Sequence, residues 1–194
     1  MFPTLSQILS ERDRHTVIRP GQAAVLVPII DDGKGLRLLL TRRTDTVRSH
    51  KGQVAFPGGF VEPTDEDVIQ AALREAHEEV ALPPAHVEVL GLLDEFPTVT
   101  DKVAVTPVVG RVGQLPPLVP QPDEVARIFT VPIEALKDPT GWRKEMVTKN
   151  GVTWPLYFFD WDGEILWGLS AYITLHLLDL IGETPFEVPV VRVR

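Results

Sequence analysis

Apolar and polar positions along this chain change period several times, and the changes mark its elements. From Asp65 to Val80 the apolar residues Ile69, Ala72, Leu73, Ala76 and Val80 recur at helical spacing, with Thr64 as the expected N-cap and Pro83-Pro84 as the stop. Ala23 to Ile30 and Leu36 to Thr41 are apolar runs around Asp31-Asp32-Gly33-Lys34-Gly35, a pattern that predicts a β-hairpin. His86 to Phe96 and Val103 to Val112 read as extended, Pro116 to Pro122 as a surface loop, Glu124 to Val131 as a strand and Pro132 to Lys137 as a short helix. Asn150-Gly151 and Asp162-Gly163 carry hairpin chemistry between further strands, Gly168 to Ile181 predicts a buried helix, and Met1 to His15 has a weaker helical pattern.

Strands interleaved with a few helices, without an internal repeat or a low-complexity linker, predict an α/β fold with a mixed β-sheet packed between helices. The 194 residues suit a single domain spanning 1–194, long enough to bury a core without staples. Acids outnumber bases 27 to 19, and the net charge of −8 argues against a protein that coats nucleic acid or an anionic membrane. No apolar run approaches the roughly 18 residues of a membrane span, and the first residues lack the apolar core of a signal peptide, so the expectation is a cytoplasmic protein. The chain has no cysteine, which removes thiolate nucleophiles and cysteine-bound metals and leaves oxygen and imidazole as ligands. Hard cations such as magnesium or manganese suit that inventory best.

The candidate chemistry lies in Phe56-Pro57-Gly58-Gly59 and the acidic helix that follows. At 100° per residue from Ile69, Glu79, Glu75 and Glu78 fall at about −80°, −120° and 180°, so three carboxylates share a flank beside the buried face. Like charges at these spacings repel, and such a cluster needs a counter-ion or abundant water. A solvated acidic face is the plain alternative for an arbitrary Glu-x-x-Glu-Glu. Gly58 and Gly59 can bring bare backbone close to a ligand, so the turn before the helix can aim a carbonyl at a cation held by the acids. Just upstream, Arg42 to Lys51 carries four formal cations and His50 against one acid, whereas Glu62 to Glu79 carries seven acids against Arg74. A basic strip beside an acidic one fits a phosphorylated ligand bridged by divalent metal.

These residues resemble the signature of the Nudix hydrolases, a box that runs here from Gly59 to Leu82: a glycine, an acid, Arg74-Glu75, Glu78-Glu79, a glycine position and an aliphatic residue. The usual box has five residues between glycine and acid and seven between acid and arginine; Asp65 satisfies the first interval and Glu66 the second, as one inserted residue would produce. Ala81 stands where the box has its second glycine, and a left-handed alanine there costs about 1 kcal/mol or more. The upstream run Leu39-Leu40-Thr41-Arg42-Arg43-Thr44, with Arg48, His50 and Gly52, looks like the additional signature of the coenzyme A pyrophosphatase branch, over about residues 39–59.

The resemblance implies a Nudix-type α/β/α sandwich and a Mg2+- or Mn2+-dependent hydrolase. It would cleave the diphosphate of coenzyme A or acyl-coenzyme A to 3′,5′-ADP and (acyl-)4′-phosphopantetheine. It also implies Glu75, Glu78, Glu79 and the Gly58 carbonyl as metal ligands, and Arg42, Arg43, Arg48 and His50 as substrate contacts. Arg74 is expected to support a glutamate or pair with Asp65 or Glu66. The general base is left open between Glu75 and a later acid such as Glu124 or Glu95. The partner is a small molecule, with neither nucleic acid nor membrane; the oligomeric state is not encoded in these motifs. Rival readings are a Nudix hydrolase of ADP-ribose or a dinucleotide, and a non-catalytic nucleotide-binding domain. Asp160, Asp162 and Gly163 lack calcium-loop spacing and suit a turn; Trp154, Trp161, Trp167 and His176 suit packing.

Overall fold

The computed structural model describes residues 2–45, 51–149 and 151–186. Among the described residues, two helices and eleven strands occur where apolar periodicity is strong or where tertiary pairing imposes them, and two further short or terminal helices complete the order. In sequence they are α1 (Phe2–Glu11), β1 (Gly21–Ile30), β2 (Arg37–Arg43), β3 (Val54–Ala55), β4 (Gly58–Phe60), α2 (Val68–Val80), β5 (Glu88–Leu92), β6 (Phe96–Pro97) and β7 (Val103–Val112). Then follow β8 (Val125–Pro132), α3 (Ile133–Lys137), β9 (Trp142–Lys149), β10 (Val152–Trp161), β11 (Glu164–Trp167) and α4 (Gly168–Leu180).

Eight strands form one mixed sheet whose main path runs β3-β2-β1-β7-β5; β4 pairs with β1, β6 with β7 and β8 with β2. Strands β1 and β7 are parallel in register from Gly21↔Val103 to Ile30↔Val112, and the other pairs are antiparallel. Alternation along the strands sends side chains to both faces. Ala24, Leu26 and Ile30 of β1 and Leu39 of β2 join Ala72, Ala76 and Val80 of α2 in one core. Val27, Ile29, Leu38 and Leu40 join Leu5, Leu9 and the buried residues of α4 in the other. The sheet is therefore covered on both sides, as an α/β/α sandwich requires. The three-stranded sheet β11-β10-β9 packs with α4 in the second core through Tyr157, Phe159 and Leu166.

The predicted hairpin of the first two strands is only partly a hairpin. Strand β2 pairs with β1 at Ile29↔Leu38 and Ile30↔Arg37 and then diverges, while the other end of β1 takes β4 through Ala23↔Phe60, Ala24↔Gly59 and Val25↔Gly58. The segment 54–60 fills this splay, pinned by the Leu26 amide, which donates to the Pro57 carbonyl at 2.8 Å. Two short strands thus arise in Pro/Gly-containing sequence with no periodic pattern of its own.

Helix α2 begins later than the expected residue 65, and its N-cap is Asp67 rather than Thr64. Residues 62–65 close a turn of their own, with the Asp65 amide donating to the Glu62 carbonyl, and the Asp67 carboxylate accepts from the Gln70 amide. At the other end Ala81 is left-handed (φ 55°); its amide donates to the His77 carbonyl, the bond of an αL closure, and that of Leu82 donates to the Ala76 carbonyl. Burying Leu82 completely is worth about 1.5–3 kcal/mol, which outweighs the strain at alanine.

Asp162 and Gly163, both with positive φ, make the two-residue turn between β10 and β11. In the expected Asn150-Gly151 turn, Asn150 lies outside the described residues. Trp161 stacks on Phe159 and Trp167 on Phe158, and the half-buried His176 meets Phe96 edge-on with Nε2 3.4 Å from Asp94. No helix among the described residues is long and apolar enough to cross a membrane.

Candidate active site

The splay between β1 and β2 creates a notch lined by bare backbone. A Cβ on Gly58 would stand 2.3 Å from the Ala24 carbonyl oxygen, so close pairing with β1 excludes any side chain there. A Cβ on Gly59 would stand 2.4 Å from Glu75 Oε1: the carboxylate of Glu75 rests directly on the glycine. Helix α2 lies across this notch and lowers its acids into it.

Glu79 is the deepest of them, at 4% exposure. Its Oε2 accepts from the Gly58 amide at 3.3 Å, and its Oε1 from Arg43 Nη1 at 3.3 Å. Burial pushes its carboxyl up to about 7 in spite of the Arg43 charge and the Gly58 amide, with Glu75 and Glu124 adding to the rise. Glu75 is raised too, chiefly by burial, with Arg74 opposing. Glu78 is more exposed and accepts from Arg74 Nη1 at 3.2 Å.

Arg74 is fixed from two sides. Nε and Nη2 donate to the two oxygens of Asp65 at 3.0 Å each, Nη2 also donates to the Phe60 carbonyl, and Nη1 donates to Glu75 at 3.0 Å. The choice between Asp65 and Glu66 is thereby resolved: Asp65 is the partner, and the Glu66 amide instead donates to Gln70. The Arg74 hydrogen bonds, with the Glu62 amide, lower the Asp65 carboxyl from its ordinary value.

Arg43 ends β2 on the α2 side and forms ion pairs with Glu79 at 3.3 Å and Glu124 at 3.6 Å. Glu124 reaches it through a register shift opposite Arg42 and Arg43, and through ties on both flanks. The Glu124 carbonyl accepts from the Thr44 amide, its amide donates to Gln121 Oε1, and the Gln121 amide donates to the Glu79 carbonyl. Gln121 carried no signal in the sequence; its role comes from the loop crossing behind α2.

The other candidates lie apart. Arg42 alternates to the opposite face of β2 and pairs with Glu164 at 3.4 Å, beside Arg127. Glu95 anchors the N-terminal segment: it accepts from the Val17 amide, Arg14 and Thr106. Arg48 and His50 lie outside the described residues. A groove of about 590 Å³ between the loop 115–120 and β8 has none of the cluster acids in its wall.

The donors are the hard oxygens that Mg2+ or Mn2+ prefers, and a buried, under-compensated carboxylate such as Glu79 suits a further cation. Among the described residues no three acid or imidazole side chains converge on one point. The contacts above explain this: Arg74 draws Glu75 and Glu78, and Arg43 draws Glu79. Fit to a metal thus holds for the chemistry and proximity of the donors and requires these side chains to turn.

Comparison with known proteins gives consistent likenesses. The NUDIX domain profile matches residues 20–150. The chain is 42% identical over 184 residues to an uncharacterized Nudix hydrolase, NudL, of Pectobacterium atrosepticum, covering 95% of each chain. It is 44% identical over 175 residues to the NudL of Photorhabdus laumondii, covering 89% of this chain and 87% of that one. Among solved structures, a MutT/nudix family protein from Enterococcus faecalis superposes with a TM-score of 0.57 at 16% identity, covering 91% of this chain and 69% of that one. RenU, a Nudix hydrolase from M. smegmatis, superposes with a TM-score of 0.51 at 23% identity, covering 62% and 75%.

Proposed function

The chain belongs to the Nudix family of hydrolases, which act on phosphoric anhydride bonds, and from that premise we propose that its substrate is coenzyme A or an acyl-coenzyme A. Cleavage at the diphosphate gives 3′,5′-ADP and 4′-phosphopantetheine or its acyl form, with the cytoplasm as the expected compartment. The observation that supports this reading most is the 3.3 Å approach of Arg43 to Glu79. It joins the upstream segment, which resembles the coenzyme A branch, to the acidic box at one site.

In the reaction a water oxygen forms a bond to one phosphorus, the bridging P–O bond breaks, and the water's proton passes to a carboxylate. Glu75, Glu78 and Glu79, with the Gly58 carbonyl, are the proposed metal ligands. When bound, Mg2+ or Mn2+ supplies the positive charge that neutralises the non-bridging oxygens. Glu75, held by Arg74 and seated on Gly59, orients the water or takes its proton; Glu124, across Arg43, is the second candidate for that proton. Arg74 is a positioning residue. Arg43 is the proposed diphosphate contact within the cluster, and Arg42, Arg48 and His50 are assigned to the substrate from the upstream segment alone.

A substrate panel tests the proposal. The ratio kcat/KM for coenzyme A or an acyl form should exceed that for ADP-ribose and for dinucleoside polyphosphates by at least about tenfold, the scale set by a few added contacts. Faster turnover of ADP-ribose would move the substrate to another nucleoside diphosphate; binding without any product would favour a nucleotide-binding domain. Within the panel, Arg48→Ala should lose more on coenzyme A than on its 3′-dephospho form if Arg48 reads the 3′-phosphate, and an equal loss would remove that role.

A further inference from the structure

We propose that Arg43 is the resident counter-cation of the acid cluster, and that a divalent ion entering the cluster takes Glu79 from it and frees the guanidinium to leave Glu124 for a substrate phosphate. The inference rests on the metal-dependent reading above and adds an order of events to it: metal first, then the grip on the diphosphate.

The two arginines of the cluster are held differently. Arg74 has anchors beyond its two helix partners Glu75 and Glu78, namely both oxygens of Asp65 and the Phe60 carbonyl. Arg43 forms ion pairs, among the described residues, with Glu79 and Glu124, both of them cluster acids. Its separations of 3.3 and 3.6 Å are long beside the 2.7–2.9 Å or so of a strong charge-assisted bond. One guanidinium is stretched between two carboxylates and closes tightly on neither.

Burial makes the exchange favourable. Glu79 is almost fully enclosed, so its ionised form is costly there unless a cation stands beside it. With Arg43 in that place, the acids do not converge on one point. An ion of double charge would neutralise more of Glu75, Glu78 and Glu79 than one arginine does. A guanidinium is equally suited to a carboxylate or a phosphate, which lets one side chain serve both states. By linkage, the free energy that Arg43 withholds from the metal equals what the metal withholds from the Arg43–Glu79 pair.

Two measurements with Mn2+ alone test this. Mn2+ titration followed by electron paramagnetic resonance should show Arg43→Gln binding the ion about fivefold or more tightly than the wild type, the lower end of a typical coupling between sites. Arg43→Lys, which keeps the charge, should gain less. In the wild type, Mn2+ should increase modification of Arg43 by phenylglyoxal, read from the masses of its peptides. Equal or weaker Mn2+ binding by an Arg43→Gln protein with wild-type circular dichroism would overturn the proposal, as would unchanged or reduced labelling. The labelling decides alone should the variant not fold. Metal-dependent cleavage together with unchanged labelling would sink this inference and spare the proposed function; no Mn2+ binding by the wild type would remove both.

Discussion

Asp65 accepts two hydrogen bonds of 3.0 Å from Arg74, and the same guanidinium donates at 3.0 Å to Glu75. An acid in the loop thereby fixes the carboxylate in the notch without touching it. Arginine is the residue for the task because its fork can serve both acids in one plane, which an ammonium cannot. Asp65→Asn should lower activity about 10- to 100-fold, the usual cost of removing a group that orients a ligand, and Arg74→Lys should fail to restore Glu75's position. Steady-state kinetics with thermal melts check this: wild-type activity in Asp65→Asn would contradict the chain of support.

The two adjacent glycines should fail in different ways when replaced by alanine. At Gly58 the added carbon meets the Ala24 carbonyl at 2.3 Å, and backbone cannot yield, so Gly58→Ala should accumulate poorly or melt far lower. At Gly59 it meets the end of the Glu75 side chain at 2.4 Å, which can swing away. Gly59→Ala should fold and lose about 100-fold in turnover, the scale of a misplaced catalytic group. Similar melting temperatures for the two variants would contradict this division.

Ala81→Gly should stabilise the protein by about 1 kcal/mol, because glycine adopts the observed φ of 55° without the steric cost alanine bears. Activity should not change, since Ala81 closes the helix and contacts none of the cluster. Chemical denaturation gives the answer directly: no gain, or a loss, would mean the greater freedom of glycine in the unfolded chain dominates.

Metal-free stability should fall as pH rises through the window set by Glu79. Its carboxyl titrates near 4.5 in an unfolded chain and at about 7 in the fold, where desolvation favours the neutral acid. Between these values the folded state holds a proton that the unfolded state has lost, so stability declines with pH and the loss is complete above about 7. A shift of this size corresponds to about 3 kcal/mol. In chelator, Glu79→Gln should lose this component and be more stable than the wild type at pH 8. Parallel pH profiles for the two proteins would contradict the assignment.

Hydrophobic patterning made much of the fold legible: the apolar stripe of α2, the apolar runs of β1, β2 and β7, and α4 all occur where the pattern predicts them. Segment 54–60 was illegible because its strands exist only through β1 and β2, with glycines selected by close approach rather than by a periodic rule. The basic strip gave no facing for its arginines; because β2 runs two residues past Thr41, Arg42 and Arg43 are strand residues and face opposite ways. The acids of the helix were visible from spacing alone. Their partners were not: Asp65 and Glu66 each met one of the two intervals of the box, and Glu124 meets Arg43 only through the loop that Gln121 ties to α2.

Incubation of the purified protein with coenzyme A, with and without Mg2+ or Mn2+, with products separated by mass and Glu79→Gln beside it, tests the account most directly. The wild type should release 3′,5′-ADP and 4′-phosphopantetheine with metal only, and the variant almost none. Intact coenzyme A in every tube containing folded protein, or equal cleavage by Glu79→Gln, would contradict it.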